Sequence, residues 1–196
     1  MHIAPTDTGW MEVIVGPMFS GKTEELIRRL RRARYARQRV GVFKPSIDDR
    51  FSETEIVSRA QAALPSVSLS NPFDILKLSE DLEVVGIDEV HFFDERIVEV
   101  AESLANNGKR VLLAGLDLDF QAQPFANVIT LMGLAEFVTK TLAICMSCGN
   151  PAARSQRLAS GGKERIVVGD VEAYEARCRK CFKPYPLPQQ TTLEHS

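Results

Sequence analysis

The fold of this chain is decided by one stretch of sequence, Gly16-Pro17-Met18-Phe19-Ser20-Gly21-Lys22-Thr23. It fits G-x-x-x-x-G-K-[ST], the pattern of a loop whose backbone N–H groups hold nucleotide phosphates. The apolar run Glu12–Val15 precedes it, as a buried strand would. After it, apolar residues recur at helical spacing, at Leu26, Ile27, Leu30 and Ala33. This strand-loop-helix context predicts a phosphate-binding loop. The alternative is a chance match to the pattern, in which case the segment would be a glycine-containing turn with an exposed lysine.

The residues of this loop have separate expected tasks. All eight, from Gly16 to Thr23, are predicted to hold the phosphates of ATP or GTP, aided by the positive end of the following helix. Lys22 would neutralise the β- and γ-phosphates, and the Thr23 hydroxyl would ligate Mg²⁺. The loop therefore predicts nucleotide binding together with a magnesium ion.

Further strands and helices alternate along the chain. The runs Val40–Phe43, Glu83–Asp88 and Val111–Gly115 read as buried strands. This alternation predicts an α/β fold, with a mostly parallel sheet and helices on both of its faces. Residues 45–65 are polar, and we expect them to be irregular.

Helix boundaries and one helix surface can also be predicted. Asn71 before Pro72 is typical of a helix start, with asparagine as the N-cap and proline in the first turn. A second helix over 97–104 should end with Gly108 at the position after its cap. Seven arginines between Arg28 and Arg39 are interpreted as a solvated helix face.

Two acidic residues, Asp88 and Glu89, end a buried strand. In a phosphate-loop fold a carboxylate at that place holds Mg²⁺, which is the role predicted for Asp88. Glu89 could orient water, as in an ATPase, or take a proton from a substrate hydroxyl, as in a kinase. The run Asp88–His91 also spells a short helicase-like DExH box, and the remaining alternative is an exposed acidic turn.

The four cysteines form two pairs, Cys145-x-x-Cys148 and Cys178-x-x-Cys181. Two such pairs are typical of a structural zinc site with four thiolate ligands. A redox dithiol, an iron–sulfur cluster and a nucleic-acid-binding zinc ribbon are the alternatives. Between the pairs, 154–158 and Ile166–Val168 are interpreted as the strands of a hairpin.

Composition sets the organisation and the partners. The 196 residues, 44% of them hydrophobic, are expected to form an α/β domain (1–143), a zinc-binding domain (144–190) and a disordered tail (191–196). A net charge of −2 argues against nucleic acid or membrane as a partner. The start, Met1–Asp7, has no basic flank or apolar stretch of a secretory signal, so we expect a cytoplasmic protein.

From about Met11 to Phe182 the sequence resembles the thymidine kinases shared by many bacteria and animal cytosol. Its phosphate loop is that family's own version, and Ile87-Asp88-Glu89 with Phe92-Phe93 resembles the family's catalytic segment. The resemblance extends to a nucleoside-pocket segment and to the cysteine pairs, and it rests on Gly115-Leu116-Asp117, Phe120-Gln121, Pro124-Phe125, Val167-Val168-Gly169 and Tyr174.

This resemblance implies a phosphate-loop NTPase sheet of the RecA-like type with a zinc-ribbon-like "lasso" domain. It implies transfer of the ATP γ-phosphoryl group to the 5′-hydroxyl of thymidine, with Glu89 as general base. Arg50 would approach the transferring phosphoryl group, and Asp48 would support Mg²⁺. The residues implied to bind the nucleoside are Met18, Phe92, Leu116, Phe120, Phe125, Val168 and Tyr174. A homotetramer is also implied.

Overall fold

A computed structural model describes residues 7–46, 55–57, 63–158 and 173–184. Several sequence predictions fall outside these described residues: Asp48, Arg50, Val168, the proposed hairpin strand Ile166–Val168 and the tail 191–196.

A six-stranded sheet forms the centre of the molecule, and all of its neighbouring strands run parallel. In spatial order its strands are β5 (Val67–Leu69), β2 (Val40–Pro45), β6 (Val84–Ile87), β7 (Arg110–Gly115), β1 (Trp10–Val15) and β8 (Phe137–Lys140). The expected α/β class with a mostly parallel sheet is confirmed. The two edge strands, β5 and β8, were not predicted.

The other elements surround this sheet or follow it. The helices are α1 (Lys22–Tyr35), α2 (Asp74–Leu78), a 3₁₀ turn (Val90–Phe92), α3 (Arg96–Asn106) and α4 (Ala126–Leu134). The small strands are β3 (Glu55–Val57), β4 (Ala63–Pro65), β9 (Ala143–Ile144), β10 (Pro151–Ala152), β11 (Arg154–Arg157) and β12 (Tyr174–Arg177). Among the described residues, no helix has the length and apolar character that crossing a membrane requires.

Two apolar cores cover the two faces of the sheet. Because side chains alternate along a strand, Val13 and Val15 of β1 pack in one core while Ile14 packs in the other. The first core includes buried residues of α3 and α4, and the second includes those of α1. Gly86 of β6 lies under Leu30, where an added Cβ would come within 2.8 Å of the leucine side chain. Helices thus lie on both faces, as predicted.

The helix boundaries follow the predicted signals. At the end of α3, Gly108 has a φ of +80°, its N–H donates to Ala105 O, and Lys109 N–H donates to Leu104 O. This pair of backbone hydrogen bonds is typical of a helix end at which glycine takes the left-handed conformation. At α2 the Asn71 Oδ1 accepts from Phe73 N at 3.3 Å, so asparagine caps the turn, although the regular helix begins only at Asp74.

One arginine of α1 departs from the predicted solvated face. Six of the seven are exposed, but the side chain of Arg29 is only 14% exposed. Its Nη1 donates to Glu12 Oε2 at 2.8 Å and its Nη2 donates to Thr139 Oγ1 at 2.9 Å. Glu12 Oε1 in turn accepts from Arg110 Nε at 2.7 Å. The prediction was wrong for Arg29, because the acidic side chain on β1 binds it against the sheet.

Two strand pairings also differ from expectation. Within the stretch 45–65 that was expected to be irregular, β3 pairs with β4 as an antiparallel ribbon. Near the cysteines, β11 pairs with β12 and places Arg157 opposite Tyr174. Among the described residues, the strand that follows the first cysteine pair therefore pairs with the segment directly before Cys178.

Candidate active site

The backbone conformation of the loop after β1 depends on its glycine residues. Gly16 has a φ of +152°, and a Cβ there would lie 2.4 Å from Thr141 O. Gly21, directly before α1, is left-handed at φ +81°, as is Phe19 at +68°. The Ser20 hydroxyl donates to Pro17 O at 2.8 Å and lies 2.8 Å from Thr141 Oγ1. The segment after β8 thus supports the loop from one side.

Lys22 folds back over this loop. Its side chain is buried, and its Nζ donates to Pro17 O at 2.9 Å. The ammonium group therefore lies on the inner side of the loop, at the N-terminal end of α1. Positive charge and a helix N-terminus at one place favour an anion with several oxygens, such as a polyphosphate.

The other two predicted groups on the phosphate side are in direct contact. Thr23 Oγ1 donates to Asp88 Oδ2 at 3.1 Å, which joins the first turn of α1 to the end of β6. Asp88 is 5% exposed, and its second oxygen, Oδ1, accepts from Glu89 N at 2.9 Å. A hydroxyl and a carboxylate so placed are the oxygen ligands that Mg²⁺ prefers.

Glu89 occupies a strained backbone position. Its φ of +48° and ψ of +39° are left-handed, which costs a non-glycine residue about 1–3 kcal/mol. The conformation is held by the bond from its N–H to Asp88 and by Phe92 N–H, which donates to Glu89 O at 3.0 Å. Such strain is common where a structure must present one side chain in a fixed direction. Here the presented group is the carboxylate of Glu89, whose side chain is 19% exposed.

Two residues around this turn were not assigned a role from the sequence. His91 had entered only as the last letter of the DExH run, and it is buried, with its Nδ1 3.2 Å from the donating Leu116 N. Asn127 is buried at the start of α4, and its Nδ2 donates to Phe93 O at 2.8 Å and to Val90 O at 3.3 Å. A polar residue inside the apolar run 126–134 was the available signal for Asn127.

The predicted nucleoside residues fall into two groups. Phe92 and Phe125 flank the ring of His91, with centroid distances of 4.1 and 5.0 Å, and Leu116 bonds to that ring through its N–H. In the second group, Phe120 is buried under Arg157, whose Cζ lies 5.0 Å from the phenyl centroid.

Tyr174 and Met18 reach the same region from different elements. Tyr174 is paired with Arg157 across β11 and β12. Met18 N donates to Ser155 Oγ at 3.0 Å, and Ser155 is buried. The strand β11, which was not predicted to touch the phosphate loop, therefore contacts it directly.

The loop 117–125 is fixed by its own acidic residues. Asp119 Oδ1 accepts from both Gln121 N and Gln123 N at 2.9 Å. Asp117 is 2% exposed, its backbone oxygen accepts from Phe125 N, and its carboxylate lies 2.6 Å from Lys140 Nζ. These bonds fix the backbone of the turn that carries Phe120 and Phe125.

The four cysteines form one cluster. Their Sγ atoms all lie within 4.8 Å of one another, and those of Cys148 and Cys178 are 3.6 Å apart. β9 and β10 pair on either side of the first cysteine pair, and β12 leads into the second. The cluster can hold one metal ion.

The thiols of this cluster are not equivalent. Burial acts to raise the pKa of Cys145, but backbone donors from Cys178, Ser147 and Cys148 lower that pKa overall to about 6. The Cys148 thiol beside it raises the pKa of Cys181 to about 11. Since a bound cation deprotonates its thiol ligands, it would remove this difference.

A small apolar core ties the cysteine cluster to the phosphate loop. Its buried members are Ala143, Cys145, Ala152, Ala176 and Cys178, and Phe19 of the loop packs against them. Together with the bond between Met18 and Ser155, this contact joins the two parts of the site at neighbouring residues.

Comparison with known proteins gives one family. The model of the family described as "Thymidine kinase" matches residues 9–182. A curated "Thymidine kinase" from Rhodothermus sp. (strain ITI 518) is 53% identical over 184 residues, which are 94% of this chain and 85% of that relative.

Among solved structures, domain III of the Thermotoga maritima replication initiation protein DnaA overlaps with 67% of this chain and 54% of its own. The TM-score is 0.42 and the sequence identity is 14%. Similarity at this level is too low to indicate a shared function.

Proposed function

The chain belongs to the thymidine kinase family, and on that premise we propose how its site transfers the γ-phosphoryl group of ATP to the 5′-hydroxyl of thymidine. The protein is an ATP-dependent nucleoside kinase, and its product is a DNA precursor formed from a salvaged deoxynucleoside. One observation carries the mechanism. Thr23, the last residue of the phosphate loop, donates a hydrogen bond to Asp88, and Asp88 directly precedes Glu89 in the chain.

On the phosphate side, the chain contributes positioning and charge. The amides of 16–23 and the ammonium of Lys22 would bind the β- and γ-phosphates, after exchange of the Pro17 O contact for a phosphate oxygen. Thr23 and Asp88 would hold Mg²⁺, with Asp48 in support as the family resemblance implies. When bound, Mg²⁺ neutralises charge on the transferring group. Positioning of this kind supplies most of the catalysis in phosphoryl transfer.

On the nucleoside side, Glu89 would act as the general base. Its carboxylate is presented from a fixed turn, and it would accept the proton of the 5′-hydroxyl as that oxygen attacks the γ-phosphorus. The bond between the γ-phosphorus and the bridging oxygen of ADP then breaks. Arg50 is assigned to the transferring phosphoryl group by resemblance alone.

The base of the nucleoside would bind between aromatic walls. We assign Phe120 as the stacking partner, with Met18, Phe92, Leu116, Phe125 and Tyr174 around it and the backbone of Val168 on the thymine edge. Support comes from the position of Phe120 in the hydrogen-bonded turn 117–125, where the guanidinium of Arg157 lies 5.0 Å from the ring centroid and fixes its orientation. A flat pyrimidine suits aromatic walls with few fixed polar partners.

Zinc is the metal proposed for the cysteine cluster. Four thiolates at about 2.3 Å from a tetrahedral zinc ion place their sulfurs about 3.8 Å apart. The separation of 3.6 Å between two of the Sγ atoms fits this geometry. With all four ligands supplied by the protein, the role is structural, and it would hold β11 and β12 beside the nucleoside.

We further propose the domain division at residues 143 and 144, a cytoplasmic location and a homotetramer. The pairing of Ala143–Ile144 with Pro151–Ala152 supports a division at about this point. Large apolar side chains that are exposed in the single chain support assembly with further copies, and they include Ile129, Leu134, Val138, Leu142, Ile144 and Met146.

The test is incubation of the protein with ATP, Mg²⁺ and a panel of nucleosides, with separation of the monophosphates that form. We expect thymidine monophosphate in equimolar amount with ADP. Lys22→Met should abolish its formation, whereas Lys77→Met, at an exposed lysine of α2, should leave it unchanged. ATP hydrolysis without a nucleoside product, stimulated by polynucleotide, would contradict the kinase assignment.

A further inference from the structure

Beyond the proposed chemistry, the buried side chain of His91 contacts the general base Glu89, the wall of the nucleoside pocket and the backbone between them. We infer that His91 is a positioning residue, which fixes the Glu89 carboxylate relative to the wall that encloses the nucleoside. The inference rests on the proposed function for the identity of the base and of the pocket. It assigns His91 no contact with substrate.

The position of the ring supports this role. His91 is 5% exposed and lies in the 3₁₀ turn directly after Glu89. Its ring centroid lies 4.1 Å from that of Phe92 and 5.0 Å from that of Phe125, at interplanar angles of 36° and 57°. The ring therefore fills the space between two residues assigned to the nucleoside pocket. Any displacement of His91 must move at least one of them.

The polar contacts of the ring fix its tautomer. Leu116 N donates to Nδ1 at 3.2 Å, so this nitrogen is an acceptor and carries no proton. The same Nδ1 lies 3.5 Å from Glu89 Oε2, which would be an ion pair only for a protonated ring. While Nδ1 accepts from the backbone it does not donate to Glu89, so it does not compete with the substrate hydroxyl for the carboxylate. The ring limits where the carboxylate can go.

The backbone around His91 is built to hold the ring in place. A Cβ at Gly115 would come within 2.8 Å of Val90 Cγ1 and 3.3 Å of His91 Nδ1, so glycine is needed for β7 to approach the turn. From α4, Asn127 donates to the carbonyl groups of Val90 and Phe93 on either side of the ring. β7 and α4 thus both contact the turn that carries this side chain.

A specific kinetic signature follows from this arrangement. Without an acceptor at Nδ1, the Leu116 N–H loses its hydrogen bond, and both Glu89 and the pocket wall are held less firmly. Because phosphoryl transfer depends on the alignment of the reacting groups, a shift of about 1 Å can cost about 100-fold in rate. The ring bonds to Leu116 on the nucleoside side, whereas the phosphates are assigned to Lys22 and the loop amides, so we expect the binding of ATP to change little.

The experiment compares two variants of the full-length protein. His91→Asn places an amide oxygen where Nδ1 lies and can accept from Leu116 N, whereas His91→Leu fills the space without an acceptor. We expect kcat for thymidine to fall at least tenfold in His91→Leu and to stay within about threefold of wild type in His91→Asn. The KM for ATP should be unchanged in both, and Tm should show that both are folded.

Each outcome separates the inference from the proposed function. Wild-type kinetics in folded His91→Leu, or an equal loss in both variants, would overturn the positioning role. If His91→Leu does not fold, His91→Met supplies the flexible apolar replacement for the same comparison. A wild-type protein that phosphorylates no nucleoside would overturn the proposed function, and the inference with it, whereas an active wild type with unaffected variants overturns the inference alone.

Discussion

The Thr23 hydroxyl donates a hydrogen bond to Asp88 Oδ2 at 3.1 Å, across the gap between the start of α1 and the end of β6. This bond connects the nucleotide loop to the strand end that carries Glu89. Since hydrogen bonds to a charged group contribute about 1.5–3 kcal/mol, Thr23→Val should lower kcat/KM for ATP about 10- to 100-fold. Thr23→Ser keeps the hydroxyl and should remain close to wild type. Steady-state kinetics with varied ATP would check this, and equal activity of the two variants would contradict it.

The second prediction concerns the carboxylate of Glu89. Glu89→Gln keeps the shape and the backbone turn but cannot accept a proton, so kcat should fall about 10²- to 10⁴-fold. Thymidine affinity, measured by calorimetry, should change little. Glu95→Gln alters an exposed carboxylate at the start of α3 and is the matched control. Near-normal turnover in Glu89→Gln would remove Glu89 from the role of base.

The third prediction is that metal binding and nucleoside binding are coupled. Cys148→Ser should reduce the bound metal, measured by elemental analysis, from about one ion per chain to a small fraction. Because β12 leads directly into Cys178 and pairs with β11, thymidine affinity should fall at least tenfold. Lys180→Gln, at an exposed position between the other two ligands, should change neither quantity. Normal thymidine affinity in protein depleted of metal would refute the coupling.

The fourth prediction concerns the stability contributed by Glu12. This carboxylate accepts from Arg110, Trp10 and Arg29, and it is 7% exposed. Glu12→Gln leaves two arginines without their carboxylate and should lower the free energy of unfolding by about 2–3 kcal/mol at pH 7. Denaturant titration would measure it, with the exposed Glu102→Gln as control.

The effect of Glu12 should depend on pH in a defined direction. Burial acts to raise its pKa, but hydrogen bonds from Arg110 and Trp10 and the charges of Arg110 and Arg29 lower the pKa overall below the ordinary 4.5. A lowered pKa in the folded state means that its stabilisation is present above about pH 4.5 and is lost as the pH falls further. The difference between wild type and Glu12→Gln should shrink in acid. A constant difference down to pH 3 would contradict this account.

Local sequence signals predicted the parts of the molecule that depend on local geometry. The phosphate loop needs left-handed glycine at Gly21, the α3 terminus needs Gly108, and each cysteine pair is set by its own short spacing. In each case the residue type and the conformation are linked within a few positions. For that reason the loop, the helix end and the two cysteine pairs could each be predicted from a single segment.

The parts that were missed depend on partners far away in the chain. β8 alternates half-buried and exposed residues and exists because it pairs with β1 at the opposite end of the sequence. Arg29 leaves its predicted solvated face because Glu12 and Thr139 lie beneath it. A role for His91 requires Leu116, which no pattern around residue 91 contains. Spacing within one segment carries no information about such contacts.

Phe19 is shared between the nucleotide loop and the core around the cysteines. If the loop moves when ATP binds, the packing of this core, which includes Ala176 of β12, changes with it. Thermodynamic reciprocity then applies: the factor by which ATP alters the affinity for thymidine must equal the factor by which thymidine alters the affinity for ATP. The ring of Phe19, together with the bond between Met18 and Ser155, would carry such coupling between the two substrates.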